Sequence, residues 1–167
     1  MISESIIGAL RTLSERLKNQ NVRWVFVGSI SLALQGVDVT PGDIDILTDK
    51  AGAYKINELL KDCEAKPVKF GRSDMFQSHL GEFCVNDVKV EVMGDYQEKI
   101  RGKWQDFDSR LTSPVIIHFG EMQLPVSLLR AQLRSYKSSG REQDVAKVAA
   151  IRAVLRSRET AESRNEA

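Results

Sequence analysis

Apolar residues near the start of the chain recur every three or four positions: Ile6, Ile7, Leu10, Leu13 and Leu17. That spacing lines one side of a helix and predicts an amphipathic α-helix, ended by Asn19-Gln20-Asn21. An unbroken apolar run follows, Trp24-Val25-Phe26-Val27, which predicts a short strand buried on both faces. Gly28-Ser29 interrupts the run, and Ile30 to Gln35 reads as a short helix closed by Gly36. After a loop from Val37 to Gly42, strict alternation returns in Asp43-Ile44-Asp45-Ile46-Leu47, a second strand. A second amphipathic helix is predicted from Ala53 to Cys63, with Ile56, Leu59 and Leu60 facing inward.

From Val68 to Met93 the pattern becomes strand-like. Glu82 to Val85 and Val88 to Met93 flank Asn86-Asp87, a hairpin turn. Val115 to Phe119 and Met122 to Val126 form another strand pair around Gly120-Glu121. The remainder is helical: Leu128 to Tyr136, a break at Ser138-Ser139-Gly140, then Glu142 to Leu155. Val145, Val148, Ile151 and Leu155 make the buried stripe of the last helix, and Ser157 to Ala167 is polar enough to fray. The expected organisation is a core over residues 1–126, a C-terminal helical cap packed on it over 127–157, and a flexible tail over 158–167.

Composition narrows the class. In 167 residues, 42% are hydrophobic and 28% charged, the balance of a globular domain with a real core. The formal net charge of +1 does not announce a nucleic-acid binder. Between Ser127 and Arg158, however, eight Lys/Arg face only Glu142 and Asp144, a basic region that could attract phosphates or RNA. Cys63 and Cys84 have no metal-ligand spacing and read as reduced thiols of a cytoplasmic protein. His79 and His118 stand apart, which excludes a His-rich zinc site. No apolar run approaches the length of a membrane span, so no membrane partner is expected.

The chemistry is concentrated in the second strand. Alternation puts Asp43 and Asp45 on one face and Ile44 and Ile46 on the other, in the core. Adjacent carboxylates repel unless a cation sits between them, and a hard divalent ion takes such oxygens readily. In the strand Asp87 to Met93, Val88, Val90 and Val92 point one way while Asp87, Lys89 and Glu91 point the other. If the two strands are neighbours, Glu91 becomes a third acid, suited to two-metal phosphoryl transfer or to taking a proton from an acceptor hydroxyl. Gly28-Ser29, between a buried strand and a helix, offers backbone N–H groups and a hydroxyl to a phosphate.

Val27-Gly28-Ser29 followed by Gly42-Asp43-Ile44-Asp45-Ile46-Leu47 resembles the signature of the nucleotidyltransferase superfamily, which includes antibiotic nucleotidyltransferases, minimal nucleotidyltransferases and AbiEii-type toxins. The resemblance implies an α+β chain with the polymerase-beta-like nucleotidyltransferase fold: a mixed sheet flanked by helices, with further helices at the C-terminus. It also implies that Gly28 and Ser29 contact a nucleoside triphosphate (NTP) while Asp43, Asp45 and Glu91 bind Mg2+ or Mn2+. The stretch Tyr136 to Asp144 resembles the C-terminal helical motif of AbiEii-like relatives, which implies that Lys137 and Arg141 reach the triphosphate. The chain departs from the pattern in two places. Val37-Asp38-Val39 replaces an arginine before Thr40, and Glu91 stands where aspartate is commoner. The expected activity is transfer of a nucleoside monophosphate to a hydroxyl or phosphate acceptor, whether RNA, protein or a small molecule. The alternatives are a toxin–antitoxin or nucleotide-binding module of the same fold with little catalysis, and a plain α/β domain whose acids keep a sheet edge soluble.

Overall fold

Helix α1 (Glu4–Leu17) begins where the Ser3 hydroxyl accepts from the Ile6 N–H at 3.4 Å. The structure is a computed structural model that describes residues 1–106 and 109–165. After α1 come β1 (Trp24–Val27), α2 (Gly28–Leu34), β2 (Ile44–Thr48), α3 (Lys50–Leu59), β3 (Glu64–Arg72), β4 (Phe76–Val85) and β5 (Val88–Ile100). β6 (Lys103–Asp106), α4 (Ser109–Thr112), β7 (Val115–Phe119), β8 (Met122–Val126), α5 (Leu129–Ser139) and α6 (Val145–Asn165) complete the chain. The strands form one mixed sheet in the order β3-β4-β5-β2-β1-β8-β7, with β6 on β5. β2–β5 and β1–β8 are parallel and the other pairs antiparallel.

The alternation read from the sequence sets the two faces of the sheet. Phe26, Ile44, Ile46, Val90 and Val92 are fully buried in one cluster with Leu10 and Leu13 of α1 and Ile56 of α3. Each such side chain contributes about 1.5–3 kcal/mol by leaving water, and together they fix the register of β1, β2 and β5. Val25, Val27 and Leu47 face the other way and pack with Leu111 of α4. A third cluster, Leu32, Val37, Leu129, Tyr136 and Ile151, joins α2 to the C-terminal helices. The β4–β5 hairpin turns at Asn86 and Asp87 with φ of 50° and 61°. These are the left-handed conformations that a two-residue turn needs and that Asn and Asp tolerate.

Several boundaries differ from the sequence reading. α3 starts at Lys50 rather than Ala53 because the Asp49 carboxylate caps it, accepting from the Gly52 N–H at 2.7 Å. Its last predicted residues form a separate 3-10 turn, Lys61–Cys63. β5 runs well past Met93, and β6 and α4 were not foreseen, because Asp95, Gln97, Glu98 and Lys99 carry no apolar alternation. Val145 opens α6 but is 65% exposed, so the buried stripe there centres on Ile151. The frayed tail expected from Ser157 is instead helical to Asn165. Arg158 donates to the Gln35 carbonyl at 2.7 Å and Glu159 pairs with Arg130 at 2.6 Å, so polar residues tie the helix down where apolar ones are lacking. Residues 166–167 of that tail lie outside the described residues. No helix among the described residues is long and apolar enough to cross a membrane.

Candidate active site

The acid-bearing face of β2 opens onto a cleft of about 300 Å³. Register brings its parts together: Val27 pairs with Asp45 across β1–β2, and Asp45 with Glu91 across β2–β5. Asp43 lies just before β2, two residues from Asp45 and on the same side. Each of Asp43, Asp45 and Glu91 offers a carboxylate oxygen, and these atoms lie within 4.8 Å of one another. The sequence expectation that Glu91 would join the aspartates is thus met in placement. Asp43, Asp45 and Glu91 are all half-buried, so their oxygens face the cleft.

The acids disturb one another. Burial, followed by the charges of Asp43 and Glu91, pushes the Asp45 carboxyl up from 3.8 to about 7. Glu91 is partly compensated by Lys89, which donates to its Oε1 at 2.8 Å and whose own pKa is raised by that bond. Three hard oxygen donors gathered so closely, with one ionised only reluctantly, are the donor set that a divalent cation would relieve.

Gly28 and Ser29 line the same cleft at the join of β1 and α2. Gly28 has φ of 66°, and a Cβ there would collide with Oδ2 of Asp45. Only glycine lets the turn and the carboxylate approach so closely.

The opposite wall comes from elements distant in sequence. Arg110 from α4, Ser135 and Tyr136 from α5, Arg141 from the following turn and Lys147 from α6 all line the cleft. Asp144, 1% exposed, holds the two cations that flank it. Arg141 Nε donates to its Oδ2 at 2.7 Å, and Lys147 Nζ to its Oδ1 at 3.4 Å. Lys147 also stands over the Tyr136 ring at 5.2 Å, and Arg110 over the Tyr96 ring at 5.2 Å. Burial lowers the Arg110 pKa and raises that of Tyr136 to about 12.

Of the two cations expected from the C-terminal helices, Arg141 reaches the cleft. Lys137 does not: it is exposed and does not line the cleft, because it lies on the outer side of α5 before the chain reverses at Gly140. Lys147 and Arg110 were missed as site residues. Lys147 carried a signal, since it stands three residues after Asp144 and therefore on the same side of a helical turn. Nothing in the sequence around Arg110 signals its inward direction.

The family model described as aminoglycoside-2″-adenylyltransferase matches residues 9–151. A crystal structure from Thermotoga maritima, described as that of a candidate nucleotidyltransferase, shares 35% identity with this chain. The match covers 94% of this chain and 96% of that one, with a TM-score of 0.79. The lincomycin-bound lincosamide antibiotic adenylyltransferase LnuA is 16% identical over 92% of this chain and 98% of that one. Its TM-score of 0.56 shows a shared fold. A comparison with curated protein sequences gives no significant match.

Proposed function

Since the chain belongs to the aminoglycoside-2″-adenylyltransferase family and is a nucleotidyltransferase, we propose that it moves a nucleoside monophosphate from an NTP to a hydroxyl of a small molecule, with divalent metal. The observation that carries this reading is the convergence of Asp43, Asp45 and Glu91 within 4.8 Å, beside Gly28-Ser29 and opposite Arg141 and Lys147.

In this reading Asp43, Asp45 and Glu91 hold magnesium or manganese, which supplies charge neutralisation at the triphosphate oxygens. Gly28 and Ser29 receive the phosphates through backbone N–H groups and the serine hydroxyl. The acceptor oxygen attacks the α-phosphorus. The bond from that phosphorus to the bridging oxygen breaks, and pyrophosphate leaves with its electron pair. Glu91 takes the proton of the acceptor hydroxyl. Arg141 and Lys147 stabilise the charge that grows on pyrophosphate. Residues 1–126 carry the acids, the turn and Arg110, and residues 127–157 carry Arg141 and Lys147.

A small acceptor suits the disposition of the basic C-terminal region better than RNA does. Arg130 is paired with Glu159, Arg141 and Lys147 with Asp144, and Arg158 with the Gln35 carbonyl. Four of the eight basic residues of this region are thus already tied to partners of the fold, which leaves Arg134, Lys137, Arg152 and Arg156 exposed as the charges open to a phosphate backbone. The names of the matched family and of LnuA point to antibiotic-like hydroxyl compounds as the first acceptors to try. Cys63 and Cys84, both free thiols, suit the reducing cytoplasm, where NTP is abundant.

The test is pyrophosphate release with each of the four common NTPs, magnesium and a panel of amino-sugar, lincosamide and RNA acceptors. Release that depends on metal and acceptor and disappears in Asp43→Asn supports the reading. Metal-dependent NTP binding without release under any acceptor favours a binding or toxin–antitoxin module instead.

A further inference from the structure

Glu98 is 4% exposed, yet it lines the cleft. Strand alternation alone would turn it away: Glu91 and Met93 face the cleft, so the even-numbered residues beyond them should face the core. The bulge at Asp95 reverses this. Asp95 has φ of 48°, and the β4–β5 register shifts between the Gln77–Gln97 and His79–Gly94 pairs. One extra residue on β5 swaps the faces, and Tyr96 and Glu98 then point into the cleft.

Both oxygens of Glu98 are used. Oε1 accepts from the Tyr96 hydroxyl at 2.7 Å, and Oε2 accepts from the Ser139 hydroxyl. The Ser139 oxygen also lies 3.0 Å from the Ser135 carbonyl. A hydroxyl has one hydrogen, and a carboxylate attracts it more strongly than an amide carbonyl does. Two paths lead from these bonds to one side chain. Ser139 is the last residue of α5, Gly140 reverses the chain with φ of 62°, and Arg141 follows directly. Tyr96 stacks on Phe76 at 6.1 Å between centroids, and the Arg141 guanidinium stands over the Phe76 ring at 5.7 Å.

We propose that Glu98 is a positioning residue: it latches the α5–α6 turn to the sheet and thereby holds Arg141 over the nucleotide. The proposal rests on the nucleotidyltransferase reading for its consequence, and on the bonds above for the latch itself. A carboxylate serves here because it accepts from both hydroxyls at once. A glutamine must turn its amide NH2 to one of them, which exchanges a charge-assisted bond for a weaker neutral one.

The experiment compares the parent with Glu98→Gln and with Ser139→Ala, which cuts the tie from the helix side and leaves the carboxylate in place. Hydrogen exchange on the ligand-free proteins should show faster exchange in the turn around residues 139–147 in both variants, with the strands unchanged. Mg·ATP titration should show each variant binding about tenfold more weakly, and Arg141→Ala should add little further loss in the Glu98→Gln background. Unchanged exchange in both variants overturns the latch. So do losses from Glu98→Gln and Arg141→Ala that simply multiply. A parent that binds no Mg·NTP would sink the nucleotidyltransferase reading, and the exchange data would still decide whether the latch exists.

Discussion

Replacing Asp45 with asparagine should make the metal-free protein more stable at alkaline pH. In the fold, the Asp45 carboxyl titrates at about 7 instead of 3.8, first because it is buried and then because Asp43 and Glu91 repel its charge. An acid that holds its proton more tightly when folded contributes stability below its unfolded pKa. That contribution is lost as pH rises through the folded value, here between about 4 and about 7. A displacement of this size corresponds to about 4 kcal/mol lost across the window. Asparagine keeps the shape and never ionises, but its amide still needs partners in a half-buried position. The net gain over the parent should therefore be about 1–3 kcal/mol near pH 8 and turn into a loss of about 1–3 kcal/mol near pH 4, where the parent carboxyl is protonated and only the amide cost remains. For a chain of this length, the gain is a rise in Tm of roughly 3–9 °C. Thermal unfolding followed by circular dichroism, with chelator present and pH stepped across the window, measures it. A variant that melts at or below the parent temperature at about pH 8 would refute the electrostatic reasoning, as would a difference independent of pH.

Other substitutions probe other parts. Arg141→Ala should weaken Mg·NTP binding by about 1–3 kcal/mol, the worth of a charge-assisted hydrogen bond, while Lys137→Ala should leave the same titration unchanged. Gly28→Ala forces a side chain into a left-handed turn against Asp45, so it should lower Tm measurably and abolish NTP turnover. Ile46→Ala, fully buried behind the acids, should cost about 2–5 kcal/mol in a denaturant titration, without altering the pH dependence that Asp45 imposes.

The parts of the site legible in sequence are those governed by local periodicity. Asp43 and Asp45 share a face because a strand alternates, and Gly28 is needed because a strand ends against that face. Glu91 was legible by the same rule, given that β2 and β5 are neighbours; their parallel pairing supplies that condition. Tyr96 and Glu98 were not read as site residues, since a bulge at Asp95 reverses the alternation; Gly94 beside it is the one local mark of that bulge, and it does not say which side chains turn inward. Arg110 and Ser135 reach the cleft through packing between elements far apart in the chain, which no local pattern encodes, whereas Lys147 was marked only by its three-residue spacing from Asp144. The C-terminal helix was ended too early because its apolar stripe stops near Leu155. Beyond it, Arg158 and Glu159 hold the helix through polar contacts that hydrophobic periodicity cannot reveal.

The central claim is that Asp43, Asp45 and Glu91 form one metal site that receives an NTP. Isothermal titration of a non-hydrolysable NTP analogue into the parent and into Asp43→Asn, each with magnesium and with chelator, tests it most directly. Saturable binding by the parent is expected only with magnesium, and at least tenfold weaker binding by the variant with its fold intact. Equal affinity in all four titrations would contradict it.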